Sequence, residues 1–242
     1  MKYCIKHLHF DTEIFNIKCG KVELTNEYLS ENDIKYLLED AKKRNIDHLV
    51  ATVPSEHAAV CNLLEDFSFR FKVCSLYLEK LLTTSINNAD KDVSIYNGDD
   101  DERLIEITEK AFSSGTRFHF EQCFTSIQVA ELHKRWINNL INDRNVQIYV
   151  HLQESEITGY VTVKPENSAS KRNHIGLFAV DKPYLGNGIG TKLLSALNSH
   201  LCNKIDIISV TTESFNYSAL KTYFKHGFTI NKSQNIFHLS FK

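Results

Sequence analysis

The stretch FAVDKPYLGNGIGTKLL, Phe178 to Leu194, decides how this chain is read. An apolar run, Phe178 to Val180, leads into three glycines at alternate positions, Gly186, Gly188 and Gly190. Leu193, Leu194, Leu197 and Leu201 then repeat at helical spacing. The pattern predicts strand, glycine loop and helix in succession. Glycines at such a junction let backbone N–H groups close on a ligand, and the helix N-terminus adds the positive end of its dipole. A diphosphate suits those donors. Two other phosphate loops fail on spacing. No GxxxxGK[ST] occurs, and the GxGxG found here is not a GxGxxG opening a βαβ unit, because its strand follows a hairpin. A plain turn accounts for one or two of these glycines, but not for three in alternation.

The remainder of the chain bounds the context. A length of 242 residues suits one large domain or two modest ones. A net charge of −2 leaves no basic footprint for nucleic acid. No run of about 18 apolar residues predicts a membrane span, and MKYCIKHLHFD lacks the apolar core of a signal peptide. The six cysteines are scattered without a CxxC pair, which predicts free thiols in a reducing cytoplasm.

Periodicity predicts helices at SENDIKYLLEDAKKRN, with a capping box at Ser30 and Asp33, and at SEHAAVCNLLEDF. Further helices are expected in DERLIEITEKAF, in IQVAELHKRWINNLI, where Val129, Leu132, Trp136 and Leu140 share a face, and in SFNYSALKTYFKHGF, closed by Gly227. Strands are expected at DHLVATV, FRFKVCSLYLEK, VQIYVHL, GYVTVK, NHIGLFAV, DIISVTT and IFHLSF, the third and fourth as a hairpin. Thr83 to Asp92 is polar and aperiodic and reads as a linker. An internal repeat runs at an ungapped offset of 159 residues, pairing Ile34 with Leu193, Leu38 with Leu197, Ile46 with Ile205, Asp47 with Asp206, Thr52 with Thr211, Ser55 with Ser214 and Phe69 with Phe228. EYLSE, positions 27 to 31, has no glycine where the later copy has GNGIG, and Leu64 stands opposite Tyr223. Only the later copy carries the chemistry. The expected domains are 1–88, a degenerate half without the loop, and 89–242.

From about Asp92 onward the chain resembles the GNAT acyltransferase superfamily. NxxAxxxYxxxGF is met by Asn216, Ala219, Tyr223, Gly227 and Phe228. The loop pattern [RQ]xxGx[GA] is met by Gly188 and Gly190, with Leu185 in place of Arg or Gln. The backbone donors remain where that side chain is missing. FDTEIF near the N-terminus and SSGTRFHFEQCF before the Trp136 helix are similar to segments of bacterial dTDP-fucosamine acetyltransferases, which acylate the amine of a dTDP-linked amino-dideoxy sugar for surface polysaccharides such as O-antigen. Thr116 and Glu121 depart from the Ser and Asp of that pattern.

The resemblance implies an α/β (α+β) GNAT fold with a mixed central sheet, preceded by a smaller GNAT-like half. It implies acetyl-CoA or another short acyl-CoA as co-substrate, gripped by Leu185, Gly186, Asn187, Gly188, Ile189, Gly190 and Thr191. Phe178, Ala179 and Val180 would pair with the pantetheine, an amide of Ala179 or Val180 would polarise the thioester, and Asn216 and Ala219 would border the arm. Tyr223 would be the general acid, because a phenol near pKa 10 is protonated at neutral pH and can donate to a thiolate of pKa about 8.5. His119, Glu121 and His174 are candidate bases. Arg117, with His119 and Glu121, is the candidate sugar site; alternation in TRFHFE sets Phe118 and Phe120 on one side and these three on the other. Lys164, Lys171 and Arg172 read as a solvated face. HLHFD places His7, His9 and Asp11 at alternate positions, but no fourth ligand is apparent and no metal is expected. Expected partners are acyl-CoA and a nucleotide-linked amino sugar, without nucleic acid or membrane, and a homodimer is common among the proteins resembled. Two other readings stay open: a GNAT enzyme acting on a protein N-terminus, polyamine or antibiotic, and a non-catalytic CoA sensor.

Overall fold

The computed structural model describes residues 2–25, 28–82, 90–167 and 171–241. Along these the chain forms β1 (Tyr3–His7), α1 (His9–Phe15), β2 (Cys19–Leu24), α2 (Glu31–Lys43), β3 (His48–Pro54), α3 (Ala58–Asp66) and β4 (Arg70–Leu81). It continues through β5 (Val93–Ile95), α4 (Asp101–Ala111), α5 (Ser126–Asn142), β6 (Gln147–Gln153), β7 (Glu156–Pro165) and β8 (Arg172–Val180). After the glycine loop come α6 (Ile189–Leu201), β9 (Ile207–Glu213), α7 (Tyr217–Lys225) and β10 (Thr229–Ser240). The fold is mixed α/β. Most of the stretch expected as a linker, 83–89, lies outside the described residues, as does Glu27 of EYLSE. Among the described residues no helix is long and apolar enough to cross a membrane.

The repeat has a structural counterpart. β3 and β9, α3 and α7, and β4 and β10 begin and end at the same 159-residue offset. Local closures recur too. The Phe69 amide donates to the Leu64 carbonyl at 3.0 Å, and the Phe228 amide to that of Tyr223 at 3.1 Å.

Two compact units emerge, and they group the chain differently from a division after residue 88. The first comprises 1–76, 115–132 and 232–242; the second comprises 77–114 and 133–231. In the first, β1 pairs antiparallel with β2, β2 runs parallel to β3, and β3 pairs antiparallel with β10 from Gln234↔Pro54 to Ser240↔His48. Its main core sets Ile34, Leu37 and Ala41 of α2 and Val60 and Leu64 of α3 against Ile5, Val22, Leu49, Val53 and Phe237. The capping box forms as expected, with Ser30 Oγ accepting from the Asp33 amide and the Asp33 carboxylate accepting from the Ser30 amide at 2.7 Å.

In the second unit the strand order is β9-β8-β7-β6-β5, and the end of β4 lies beyond β9. β8 and β9 are parallel, while β5 to β8 form an antiparallel series that includes the expected hairpin. One face packs α4 and α5 through Leu104, Ile107, Ile137 and Leu140 against Ile148, Val150, Tyr160, Leu177 and Ala179. Trp136 departs from the expected apolar face of α5. It is partly exposed and stacks at 6.5 Å on His133.

Candidate active site

β8 and β9 diverge beside Phe178–Val180, the segment that the family resemblance implies for the pantetheine and thioester. Their parallel ladder runs from Arg172↔Ile207 to Ile175↔Val210 and stops there, although β8 continues to Val180 and β9 to Glu213. A β-bulge coincides with the divergence. Val163 pairs with Ile175 and Val161 with Phe178, so Thr162 alone faces Gly176 and Leu177. Thr162 Oγ1 stabilises the bulge by accepting from the Leu177 amide at 2.7 Å and donating to the Leu177 carbonyl at 3.3 Å. A Cβ on residue 176 would lie 2.9 Å from that hydroxyl oxygen, which explains the glycine there. Beyond the bulge the Asp181 amide bonds Thr158 O on β7. Ladder alternation then turns the Ala179 amide toward β7 and leaves those of Phe178 and Val180 facing the open side. Of the two amides considered for polarising the carbonyl, Val180 has the free direction.

The loop after β8 is anchored at its start. Asp181 is buried, accepts from the Lys182 amide at 2.8 Å and pairs with Arg103 of α4, which also pairs with Glu156 at 2.8 Å and donates through Nε to Ile157 O at 3.0 Å. Lys182–Tyr184 form a short 3-10 turn, and Leu185 is exposed. Gly186 (φ 84°) and Gly188 (φ 79°) take the left-handed conformation that glycine adopts without strain, and Gly188 caps α6. The first helical bond is Lys192 N–H to Gly188 O. The amides of Ile189, Gly190 and Thr191 thus precede any intrahelical acceptor, which with the helix dipole makes this N-terminus suited to an anion. Gly190 has a different role: a Cβ there would press on Phe178 at 3.3 Å. Nothing in the sequence pattern singled out Thr162, Asp181 or Arg103. The odd residue count across the β7–β8 bulge is visible only once the strands are paired.

α7 brings the motif residues Asn216, Ala219 and Tyr223 together without giving them one role. Asn216 caps the helix by accepting from the Ala219 amide at 3.4 Å and donates to Thr212 Oγ1 at 3.2 Å. Tyr223 is buried between Phe178 (6.0 Å between ring centroids) and Phe228 (5.4 Å). Its hydroxyl has no hydrogen-bond partner among the described residues, and burial pushes its pKa above the usual tyrosine value. It therefore stays protonated at neutral pH with a free proton to donate.

His174 lies on β8 two residues before the bulge. Its Nδ1 is 2.8 Å from Ser209 Oγ. Burial holds it below the ordinary histidine range, so it is neutral and basic at pH 7. Arg172 is not part of a solvated face. It pairs with Glu79 and, through Nε at 3.1 Å, with Glu166.

The remaining candidates fall in the first unit. Arg117–Phe120 form a 3-10 helix, so the strand-like alternation expected in TRFHFE does not hold. Phe118 is buried with Phe15 and Phe124, whereas Phe120 is exposed. Arg117 lies over the Phe118 ring at 4.6 Å. His119 Nδ1 is 2.9 Å from Thr116 Oγ1 and accepts from the Thr116 amide at 3.3 Å, closing a capping box. Glu121 is buried, 3.1 Å from both Lys72 Nζ and His238 Nδ1. Burial works against its charge, but these two partners outweigh it and hold the carboxyl at about 2. His48, Glu121 and His238 bring ligand-type atoms within 4.8 Å of one another, yet the positive charge facing this carboxylate is that of Lys72. HLHFD does not align three ligands on a strand, because β1 ends at His7 and α1 begins at His9.

Comparison with known proteins agrees with this geometry. The acetyltransferase (GNAT) domain family matches residues 104–238, more than half of the chain. Acetyltransferase PseH of Campylobacter jejuni is 29% identical over 110 residues, covering 45% of this chain and 67% of that protein. A GCN5-related N-acetyltransferase from Sphaerobacter thermophilus superposes with a TM-score of 0.69 at 12% identity, over 99% of this chain and 76% of the other. A tandem GNAT protein from the clavulanic acid biosynthesis pathway gives 0.58 at 12% identity, over 92% and 75%. With β8 and β9 splayed at a bulge and a glycine loop opening α6, the chain belongs to the GNAT acetyltransferase family and is an acyltransferase.

Proposed function

We propose that this protein transfers an acetyl or slightly larger acyl group from acyl-CoA to the amine of a nucleotide-linked amino-dideoxy sugar, dTDP-linked in the form its sequence resembles, by direct attack in a ternary complex. The observation that carries the transfer is the opening between β8 and β9 beside the Thr162-plugged bulge and the Gly186–Gly190 loop. The amides of the loop and of Ile189, Gly190 and Thr191 take the diphosphate, with Leu185 and Asn187 bordering it. The open-side amides of Phe178 and Val180 take the pantetheine and the thioester oxygen, Ala179 supplying the strand between them. Asn216 and Ala219 line the arm from α7.

His174 accepts the proton of the attacking amine at Nε2. As the amine nitrogen bonds to the carbonyl carbon and the C–S bond breaks, Tyr223 donates its proton to the departing thiolate. Exchange with solvent returns the imidazolium proton and reprotonates the phenol. His119 and Glu121 are engaged in the first unit and take no part in these proton transfers.

Support for the sugar acceptor comes from FDTEIF and TRFHFE, with Arg117 suited to a phosphate, and from the base itself. A neutral imidazole with a lowered pKa matches an amine of modest basicity, as in a hydroxyl-flanked sugar, better than a lysine or polyamine nitrogen. The first copy lacks the loop, which supports one acyl-CoA per chain.

Thiol release from acetyl-CoA, measured with a panel of dTDP-amino sugars, peptide amines and polyamines, tests the reading. Release with the sugars is expected. Release with peptide amines alone overturns the acceptor, and acyl-CoA binding without release for any amine favours a sensor.

A further inference from the structure

The surroundings of His174 contain more than a base. Ser209 on β9 sits opposite it in the parallel register. Ser209 Oγ is 2.8 Å from His174 Nδ1 and 2.5 Å from Glu166 Oε1. A hydroxyl has one proton, and an ionised carboxylate can only accept. The Ser209 proton is therefore directed to Glu166, and Ser209 accepts from Nδ1–H. The lone pair of the neutral ring is then on Nε2, which has no partner among the described residues. Glu166 is itself held. Tyr77 donates to Oε1 at 2.6 Å, and Arg172 Nε donates to Oε2 at 3.1 Å. The Tyr77 ring also stacks on the imidazole with centroids 6.1 Å apart and planes 6° apart. Both the tilt and the tautomer of His174 are thus determined by Tyr77, Ser209 and Glu166.

We propose that Glu166 and Ser209 are positioning residues for acyl transfer: the chain Glu166–Ser209–His174 locks the Nδ1–H tautomer and keeps Nε2 available to the amine. This rests on the acyltransferase reading with His174 as base. The charged and titratable groups around the ring are Glu166 and Lys164 from β7 and its end, Tyr77 and Glu79 from β4, and Arg172 on β8. Of these, Glu166 raises the basicity of His174 and Lys164 lowers it, while burial lowers it most. Removing the Glu166 charge therefore makes the base weaker.

Two measurements test this. Long-range ¹H–¹⁵N correlation of the full chain, with His174 assigned through His174→Gln, is expected to show the neutral Nδ1–H tautomer, changing toward Nε2–H in Ser209→Ala. An Nε2–H tautomer in the unmodified protein, or no change in the variant, overturns the proposal without reference to turnover. In the pH profile of kcat/KM, Glu166→Gln should move the acid limb down by roughly half a unit or more. Ser209→Ala should lower the plateau about tenfold, with acyl-CoA affinity unchanged, and Ser209→Thr should recover most of it. Unaltered limb and plateau in Glu166→Gln and Ser209→Ala overturn it as well. Absence of acyl transfer by the unmodified protein to any amine would instead remove the acyltransferase reading and leave the tautomer result standing.

Discussion

Tyr223 on α7 and Phe178 on β8 lie with ring centroids 6.0 Å apart and planes tilted by 50°. The strand with open-side amides and the helix with the free phenol thus meet at one aromatic contact. Tyr223→Phe keeps that contact and removes only the proton donor. Turnover should fall roughly 10²-fold or more while acyl-CoA affinity changes little. Steady-state kinetics beside a binding titration would decide it, and unchanged turnover would take Tyr223 out of the mechanism.

Gly188 caps α6 at φ 79°, and a Cβ there meets nothing within 4 Å. The cost of Gly188→Ala is therefore backbone strain alone, about 1–2 kcal/mol. If the chain relieves it by rotating the loop, the amides turn away from the position proposed for the diphosphate. KM for acyl-CoA should rise several-fold with kcat nearly preserved.

Thr162 accepts from the Leu177 amide inside the bulge. Thr162→Val keeps the shape and leaves a buried N–H without a partner, costing about 1–3 kcal/mol. Urea denaturation should show that loss. Kinetics should show a fall in kcat as the bulge relaxes and the Phe178 and Val180 amides shift.

Glu121→Ala leaves the Lys72 ammonium with the Phe120 carbonyl at 3.1 Å but no counter-charge, since the Lys72 and Glu121 side chains are 12% and 9% exposed and pair at 3.1 Å. Breaking a buried pair on one side costs about 3–5 kcal/mol. The double variant Glu121→Leu with Lys72→Met should recover much of it. Unfolding free energies test this, and a Glu121→Ala protein of normal stability with a raised acceptor KM would return Glu121 to the substrate site.

Burial, with His238 nearby, holds His48 at about 4 against an ordinary 6.5. It is neutral when folded and takes up a proton when unfolded below about 6.5, so its contribution to stability is complete above that pH. The contribution is lost progressively as pH falls from 6.5 toward 4. Unfolding free energy should be lower at about pH 5 than at about pH 7.5, and His48→Gln should flatten the slope. An equally steep profile in the variant would assign the effect elsewhere.

Local pattern was enough for much of this protein. Helical spacing marked α2, α3 and α7, with caps at α2 and α7; the runs VQIYVHL and GYVTVK marked β6 and β7 as a hairpin; glycines marked the loop before α6. Each of these depends on residues near one another in the chain, where periodicity and backbone sterics act directly. The 159-residue offset likewise needed only the sequence, and β3, α3 and β4 recur at that offset as β9, α7 and β10. Where alternation was read without its strand, at TRFHFE, it misled, because a helical turn presents the same residues on other faces. Pairing across the chain was decided by tertiary structure. β10 closes against β3, with Phe241 N–H bonding Asp47 O at 2.9 Å, while Leu82 after β4 bonds Asp206 O after α6 at 2.9 Å, so each copy's last strand serves the other copy's strand. The bulge at Gly176–Leu177, the end of the β8–β9 ladder at Ile175↔Val210 and the Glu166–Ser209–His174 chain are likewise properties of register. No single segment encodes a register. It is settled when two strands, each already patterned, bury their faces together and satisfy their backbone bonds.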